Sequence, residues 1–156
     1  MTRLIAFALA GILAAACVHA AEDPAPAPVP GAIVEAGDFT LDSFQWIARP
    51  IVVFADTPAD PKFQQQIANL KADIPRLADR DVVVLTDTDP AAPGAIRSKL
   101  RPRGFQMVLV DKDGTVILRK PLPYSVREIT RTIDKTTSRQ EEVRERRAQG
   151  TEEISD

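Results

Sequence analysis

Sulfur and imidazole are almost missing from this 156-residue chain, which has one cysteine, Cys17, and one histidine, His19. Both fall in the first 20 residues, in a segment that reads as a removable export signal. A chain trimmed there has no thiolate nucleophile, no redox pair and no disulfide, and no imidazole for general-base work or for the commonest metal ligation. Aromatic residues are scarce as well, with one Trp, one Tyr and six Phe. They form no stacking platform interleaved with Lys and Arg. No excess of one charge sign stands out: 20 basic residues face 22 acidic ones, for a net charge of −2 that becomes −3 when Arg3 leaves with the signal. Nucleic acid is therefore excluded as an expected partner. The apolar run at residues 4–16 falls short of the roughly 20 residues a membrane-crossing helix needs.

What is present begins with that run. Arg3, the apolar stretch, and then Val18-His19-Ala20 ahead of the acidic Glu22-Asp23 make the short, one-sided pattern of a signal peptide cut after Ala20. The rival reading is a lipoprotein signal in which Ala14-Ala15-Ala16-Cys17 is cut before Cys17, and that cysteine anchors the chain. Either way the protein is expected in the periplasm or outside the cell. Residues 21–36 follow as a linker, in which Pro24, Pro26, Pro28 and Pro30 alternate with small residues and favour an extended polyproline-type spacer. The folded domain is read as residues 37–137, near the ~100-residue mode for a single domain. Residues 138–156 carry dense charge of both signs, with Val143 and Ile154 the only large apolar residues. They are expected to form a frayed helix running into a disordered tail.

Inside the domain, Ile51-Val52-Val53-Phe54 and Val82-Val83-Val84-Leu85 are continuous, β-branched apolar runs, the pattern of strands covered on both faces. Between them Phe63, Ile67, Leu70, Ile74 and Leu77 recur at helical spacing. Thr57 or Asp60 can cap this helix with Pro58 or Pro61 in its first turn, and Pro75 should kink or end it. A helical crossover makes the two strands parallel. A short helix spans residues 95–100. Strands at 107–110 and 116–118 flank Asp111-Lys112-Asp113-Gly114-Thr115, a hairpin turn with glycine at the positive-φ position. Ser125-Val126-Arg127-Glu128 is a capping box that opens a last helix. The order is β-α-β-α-β-β-α, an α/β fold with a central mixed sheet and flanking helices. Trp46, beside Phe44, is read as a core anchor under the first strand.

That order is similar to the thioredoxin fold. More narrowly, Phe44-Gln45-Trp46, the run from Arg49-Pro50 through Phe54-Ala55, Met107-Val108-Leu109-Val110 with Asp111-Lys112-Asp113-Gly114, and Leu118-Arg119 resemble a cysteine-free, peroxiredoxin-like domain family of unknown function. That family is found in small secreted bacterial proteins and in sushi-repeat extracellular matrix proteins. The resemblance covers residues 41–144 and implies the fold without an activity. In thioredoxins a CxxC motif follows the first core strand; here residues 56–60 take its place, and Gly104-Phe105-Gln106 stands where a cis-proline would be.

Two constellations resemble catalytic or binding sites. The spelling of residues 108–116, a hydrophobic strand and then Asp111-Lys112-Asp113-Gly114-Thr115, resembles the first motif of haloacid-dehalogenase phosphatases, in which the two Asp serve as nucleophile and general acid and help to hold Mg²⁺. In that family the motif opens the domain, whereas here only 41 residues follow Thr115. Asp and Gly are also what a hairpin turn requires, and the hairpin is the reading adopted. The second constellation is positional. Parallel strands bring Asp56, Asp60, Asp87 and Asp89 to one sheet edge, where ligands of open α/β sheets bind, although caps and turns account for the same residues. Arg103 and Arg119, with Arg101 and Lys120, form a basic set near the hairpin, and charged strand edges also block aggregation.

The reading is an exported, monomeric, non-redox thioredoxin-like domain that acts by binding, with no cofactor, no catalytic residue and no metal ligand assigned. The ligand-binding candidates are Asp56, Asp60, Asp87, Asp89, Arg103 and Arg119. The expected partner is an envelope protein or small ligand, with no membrane span after signal cleavage. The alternative is a metal-assisted hydrolase or phosphatase using Asp111 and Asp113, or Asp56 and Asp87. A third reading is an envelope structural protein working through its charged tail.

Overall fold

The computed structural model describes residues 28–152, and the side chains of residues 28–150. The signal-peptide and lipoprotein readings, with Cys17 and His19, and residues 21–27 of the proline-rich spacer lie outside the described residues. Five strands form one sheet in the order β1-β3-β2-β4-β5. β1 (Ile33–Glu35) and β2 (Arg49–Phe54) both run parallel to β3 (Val82–Asp87). β4 (Gln106–Val110) is antiparallel to β2 and makes a hairpin with β5 (Val116–Lys120). The expected element order is present, extended by β1 at its start and by a helix at its end.

Alternation along the buried strands divides the core into two layers. Val52, Phe54, Val83, Leu85, Val108 and Val110 meet Leu41 and Phe44 of a 3-10 turn (Leu41–Phe44) and Ile96 and Leu100 of α3 (Ala95–Leu100). On the other face Ile51, Val53, Val82, Val84, Met107 and Leu109 meet Leu70 of α1 (Pro61–Lys71), Leu77 of α2 (Ile74–Ala78), and Ile129 and Ile133 of α4 (Val126–Ile133). Pro50 fits a central strand because it sits at the strand start, one position before the antiparallel ladder opens at Ile51 and Leu109.

Local chemistry sets the boundaries. Asp60 caps α1 by accepting from the amides of Lys62 (2.7 Å) and Phe63 (3.3 Å), with Pro61 next, so Asp60 rather than Thr57 is the cap. The long helix expected across Pro75 is two helices. α1 ends at Lys71, and Pro75 lies in the first turn of α2, where its missing amide costs nothing. Ser125 and Glu128 complete the capping box on α4. Gly114 takes φ +87°, as the turn requires, and Asp113 accepts the Thr115 amide at 2.8 Å.

Three expectations need correction. The sheet starts inside the stretch read as linker: β1 is only three residues long and pairs along β3, too short for its pattern to show against the prolines before it. Trp46 is not a core anchor; Phe44 takes that place at 1% exposure, while Trp46 is 71% exposed with φ +64°. The helix expected after residue 137 is α5 (Thr137–Glu152), but it is anchored rather than loose, with Arg139 5% exposed; residues 153–156 lie outside the described residues. It docks through charge instead of apolar area, which a hydrophobicity argument does not detect.

Candidate functional site

The carboxyl ends of β1, β3 and β2 lie side by side, and Arg97 of α3 ties those of β3 and β2 together. This guanidinium is 8% exposed, lies 5.3 Å from the Phe54 ring centroid, and donates to Asp87 Oδ1 (2.9 Å) and to the backbone oxygens of Asp87 (2.9 Å) and Ala55 (3.0 Å). Asp87 Oδ1 also accepts the Asp89 amide at 3.3 Å, and Asp89 accepts the amides of Ala91 and Ala92 at 2.9 and 3.3 Å. These bonds fix the loop after β3. Beyond it lies an open cavity of about 570 Å³, with Glu35, Asp38, Asp87 and Asp89 as its carboxylates and Arg97 as its only cation. Gly94 stands at its wall, where a Cβ would meet the Gly37 carbonyl oxygen at 3.0 Å, a tight contact.

The four Asp candidates do not converge. Asp87 and Asp89 line the cavity; Asp56 and Asp60 do not. Asp60 is committed to the α1 cap, and Asp56 is exposed beside Gly104, where a Cβ would lie 3.8 Å from its Oδ2. Asp56 thus stands beside Gly104, four residues ahead of the Asp60 cap. Among the described residues no three His, Cys, Asp or Glu side chains group as a metal site. Arg103 is exposed. Arg119 straps β5 to its neighbours, donating to the Leu100 carbonyl (2.9 Å) and to Gln106 Oε1 (2.6 Å).

At the opposite end of the sheet is a cluster that sequence reasoning missed. Arg49 is completely buried, and its five N–H groups meet five acceptors: Asp111 Oδ1 (2.8 Å), the Arg80 carbonyl (3.1 Å), Glu142 Oε2 (3.2 Å) and Oε1 (2.8 Å), and Ser138 Oγ (3.0 Å). Asp111 also accepts the Lys112 amide (2.9 Å) and the Ser138 hydroxyl (2.8 Å). Lys112 Nζ (3.0 Å) and Arg139 Nη1 (3.2 Å) complete the shell around Glu142. Burial by itself would raise the Glu142 pKa; hydrogen bonds from Arg49, Lys112 and Arg139 outweigh it and bring the carboxyl down to about 2. A signal for the first pair was in the sequence, since the register of Ile51 with Leu109, carried two residues further, sets Arg49 opposite Asp111. The Glu142 contact had none, because it crosses 93 residues.

The sequence profile of the domain of unknown function DUF4174 matches residues 40–142. The chain belongs to this family. The DUF4174 match ends at Glu142, the residue that closes the Arg49 cluster, so the first turn and a half of α5 lies within it. No curated protein matches. Among solved structures, the reduced 2-Cys peroxiredoxin of Plasmodium vivax is 18% identical with a TM-score of 0.46, covering 58% of this chain and 78% of its own. Thioredoxin peroxidase I of Plasmodium yoelii is 22% identical with a TM-score of 0.45, covering 62% and 76%. These likenesses concern the fold, which is a thioredoxin-like mixed sheet flanked by helices.

Proposed function

We propose that this DUF4174 domain is an exported, non-redox binding module that takes its partner at the carboxyl edge of the parallel strands. The observation that carries the reading is the cavity after β1 and β3, lined by Gly94 and by the paired Arg97 and Asp87, in a domain whose thioredoxin-type redox position holds Asp56 and a helix cap. The lining carboxylates outnumber the single, already paired Arg97, so the cavity favours a cationic or hydrogen-bond-donating group over an anion. In this reading Asp87 and Asp89 contribute carboxylates to the cavity wall, and Asp56 stands outside it.

The hydrolase reading is less favoured. Asp111 is held by Arg49, Ser138 and the Lys112 amide, which leaves it poorly placed to attack a phosphate, and Asp113 closes the turn. Affinity capture from envelope extract tests the binding reading. Wild type should retain a partner that Ala92→Arg, which fills the cavity mouth without touching the Arg97 tie, releases. Equal retention by both proteins would remove the cavity from the account.

A further inference from the structure

The two edges of the sheet differ in chemistry. β5, at one edge, carries Arg119 and Lys120, charges that discourage another strand from pairing there. β1, at the other, reads Ile33-Val34-Glu35, with no lysine, arginine or proline. Its bonds toward β3 come from alternate residues: Ala32 accepts the Val84 amide (2.9 Å), Val34 accepts the Thr86 hydroxyl (3.3 Å), and Ala36 donates to the Thr86 carbonyl (2.8 Å). In a parallel ladder with Ile33 opposite Val84 and Glu35 opposite Thr86, the amides and carbonyls of Ile33 and Glu35 point away from β3. No other strand among the described residues pairs with that side of β1. The same strand runs into the cavity, where Glu35, Ala36, Gly37 and Asp38 form part of the wall. Glu35 and Asp38 are exposed, and neither has an ion-pair partner among the described residues. Arg97, the lining cation, bonds Asp87 and Ala55 through Nε and Nη2, while its Nη1 has no acceptor among the described residues. Carboxylates without a cation and a guanidinium nitrogen without an acceptor thus stand at the end of a strand whose own outer amides and carbonyls are unpaired.

We propose that β1 is where an extended peptide segment of a partner protein joins the sheet, with a lysine or arginine of that segment held among the cavity carboxylates. This rests on the cavity reading above and names the chemistry of its partner. Main-chain bonds along β1 supply affinity, and the acidic cavity at its end selects the basic side chain. Charge complementarity decides the occupant. A second copy would bring Ile33, Val34 and Glu35 to the edge, and the chain's own residues 21–27 carry Glu22 and Asp23 with Pro24 and Pro26; neither supplies a cation. In the test, random heptapeptides displayed on phage are selected on the full chain, and the enriched sequences are resynthesised. The expected peptides hold lysine or arginine at one fixed position, and replacing it with norleucine weakens binding about tenfold, as does Asp38→Asn in the protein at an unchanged melting temperature. N-methylation of one alternate set of peptide amides should also weaken binding about tenfold while the other set is tolerated, the signature of pairing along a strand edge that leaves the protein itself untouched. The proposal is overturned if no sequence is enriched, if norleucine peptides bind like their parents, or if both N-methylated sets do. When any of these occurs while Ala92→Arg still releases the envelope partner, the cavity reading stands without the peptide. Retention of that partner by Ala92→Arg is the separate failure of the cavity reading and removes this proposal with it.

Discussion

Glu142→Gln removes one charge from the Arg49 cluster while keeping shape and one acceptor oxygen, and its cost follows from the pKa. A carboxyl that falls from 4.5 to about 2 on folding is worth at most about 3.5 kcal/mol at neutral pH, at about 1.4 kcal/mol per pH unit of displacement. The Glu142 side chain keeps 20% of its surface in water, and screening there brings the expected loss to about 2 kcal/mol. For a domain of this size that lowers Tm by roughly 8–16 °C. The sign with pH is definite. Because the folded pKa is depressed, the contribution is complete above the unfolded value near 4.5 and drains away as pH falls toward 2. Urea melts of wild type and Glu142→Gln at pH 7, 4 and 3 should therefore show a gap that is full at pH 7 and less than half as large at pH 3. A gap below about 0.5 kcal/mol at pH 7, the size of an ordinary surface substitution, or a gap that does not narrow with acid, would refute the claim that this carboxylate anchors α5.

Other outcomes follow from the same geometry. Gly114→Val, forced to φ +87°, should destabilise by about 1–3 kcal/mol, and Asp113→Ala, which loses one turn bond, by about 1 kcal/mol or less; thermal melts rank them, and the reverse order would refute the turn assignment. Trp46→Gly relieves a left-handed aromatic at φ +64° and should raise stability by about 1 kcal/mol once the entropy cost of glycine is allowed for; a lower Tm would mean that Trp46 makes contacts the fold needs. The purified domain should neither reduce insulin disulfides nor consume peroxide, since its described residues contain no sulfur nucleophile; turnover above a blank would show a chemistry that cysteine arithmetic overlooks.

The sequence displayed those parts of the fold that depend on near neighbours. The apolar runs of β2 and β3, the Asp60 cap, the α4 capping box and the Gly114 turn are all written within four or five residues, so periodicity and cap chemistry reach them. Trp46 was misplaced because composition ranks tryptophan with the core, while its exposure is set by a backbone clamp on Lys112 across 66 residues. The docking of α5 was hidden for a related reason: its face is charged, and the Arg49 that receives it looks like a strand-flanking residue until β2 meets β4. At the cavity, proximity to the sheet edge points to Asp87 and Asp89, but Arg97, which pairs with Asp87, belongs to a short helix whose pattern shows no preference for function.

The central claim, that this domain works by holding a partner at the carboxyl edge of its sheet, is tested most directly by photo-crosslinking in living cells. A photoreactive residue at Ala92, on the cavity rim, is compared with one at Glu141, on the exposed side of α5. A discrete adduct from position 92 and none from position 141 is the predicted result; no adduct from the rim, or the same adduct from both positions, would contradict the account.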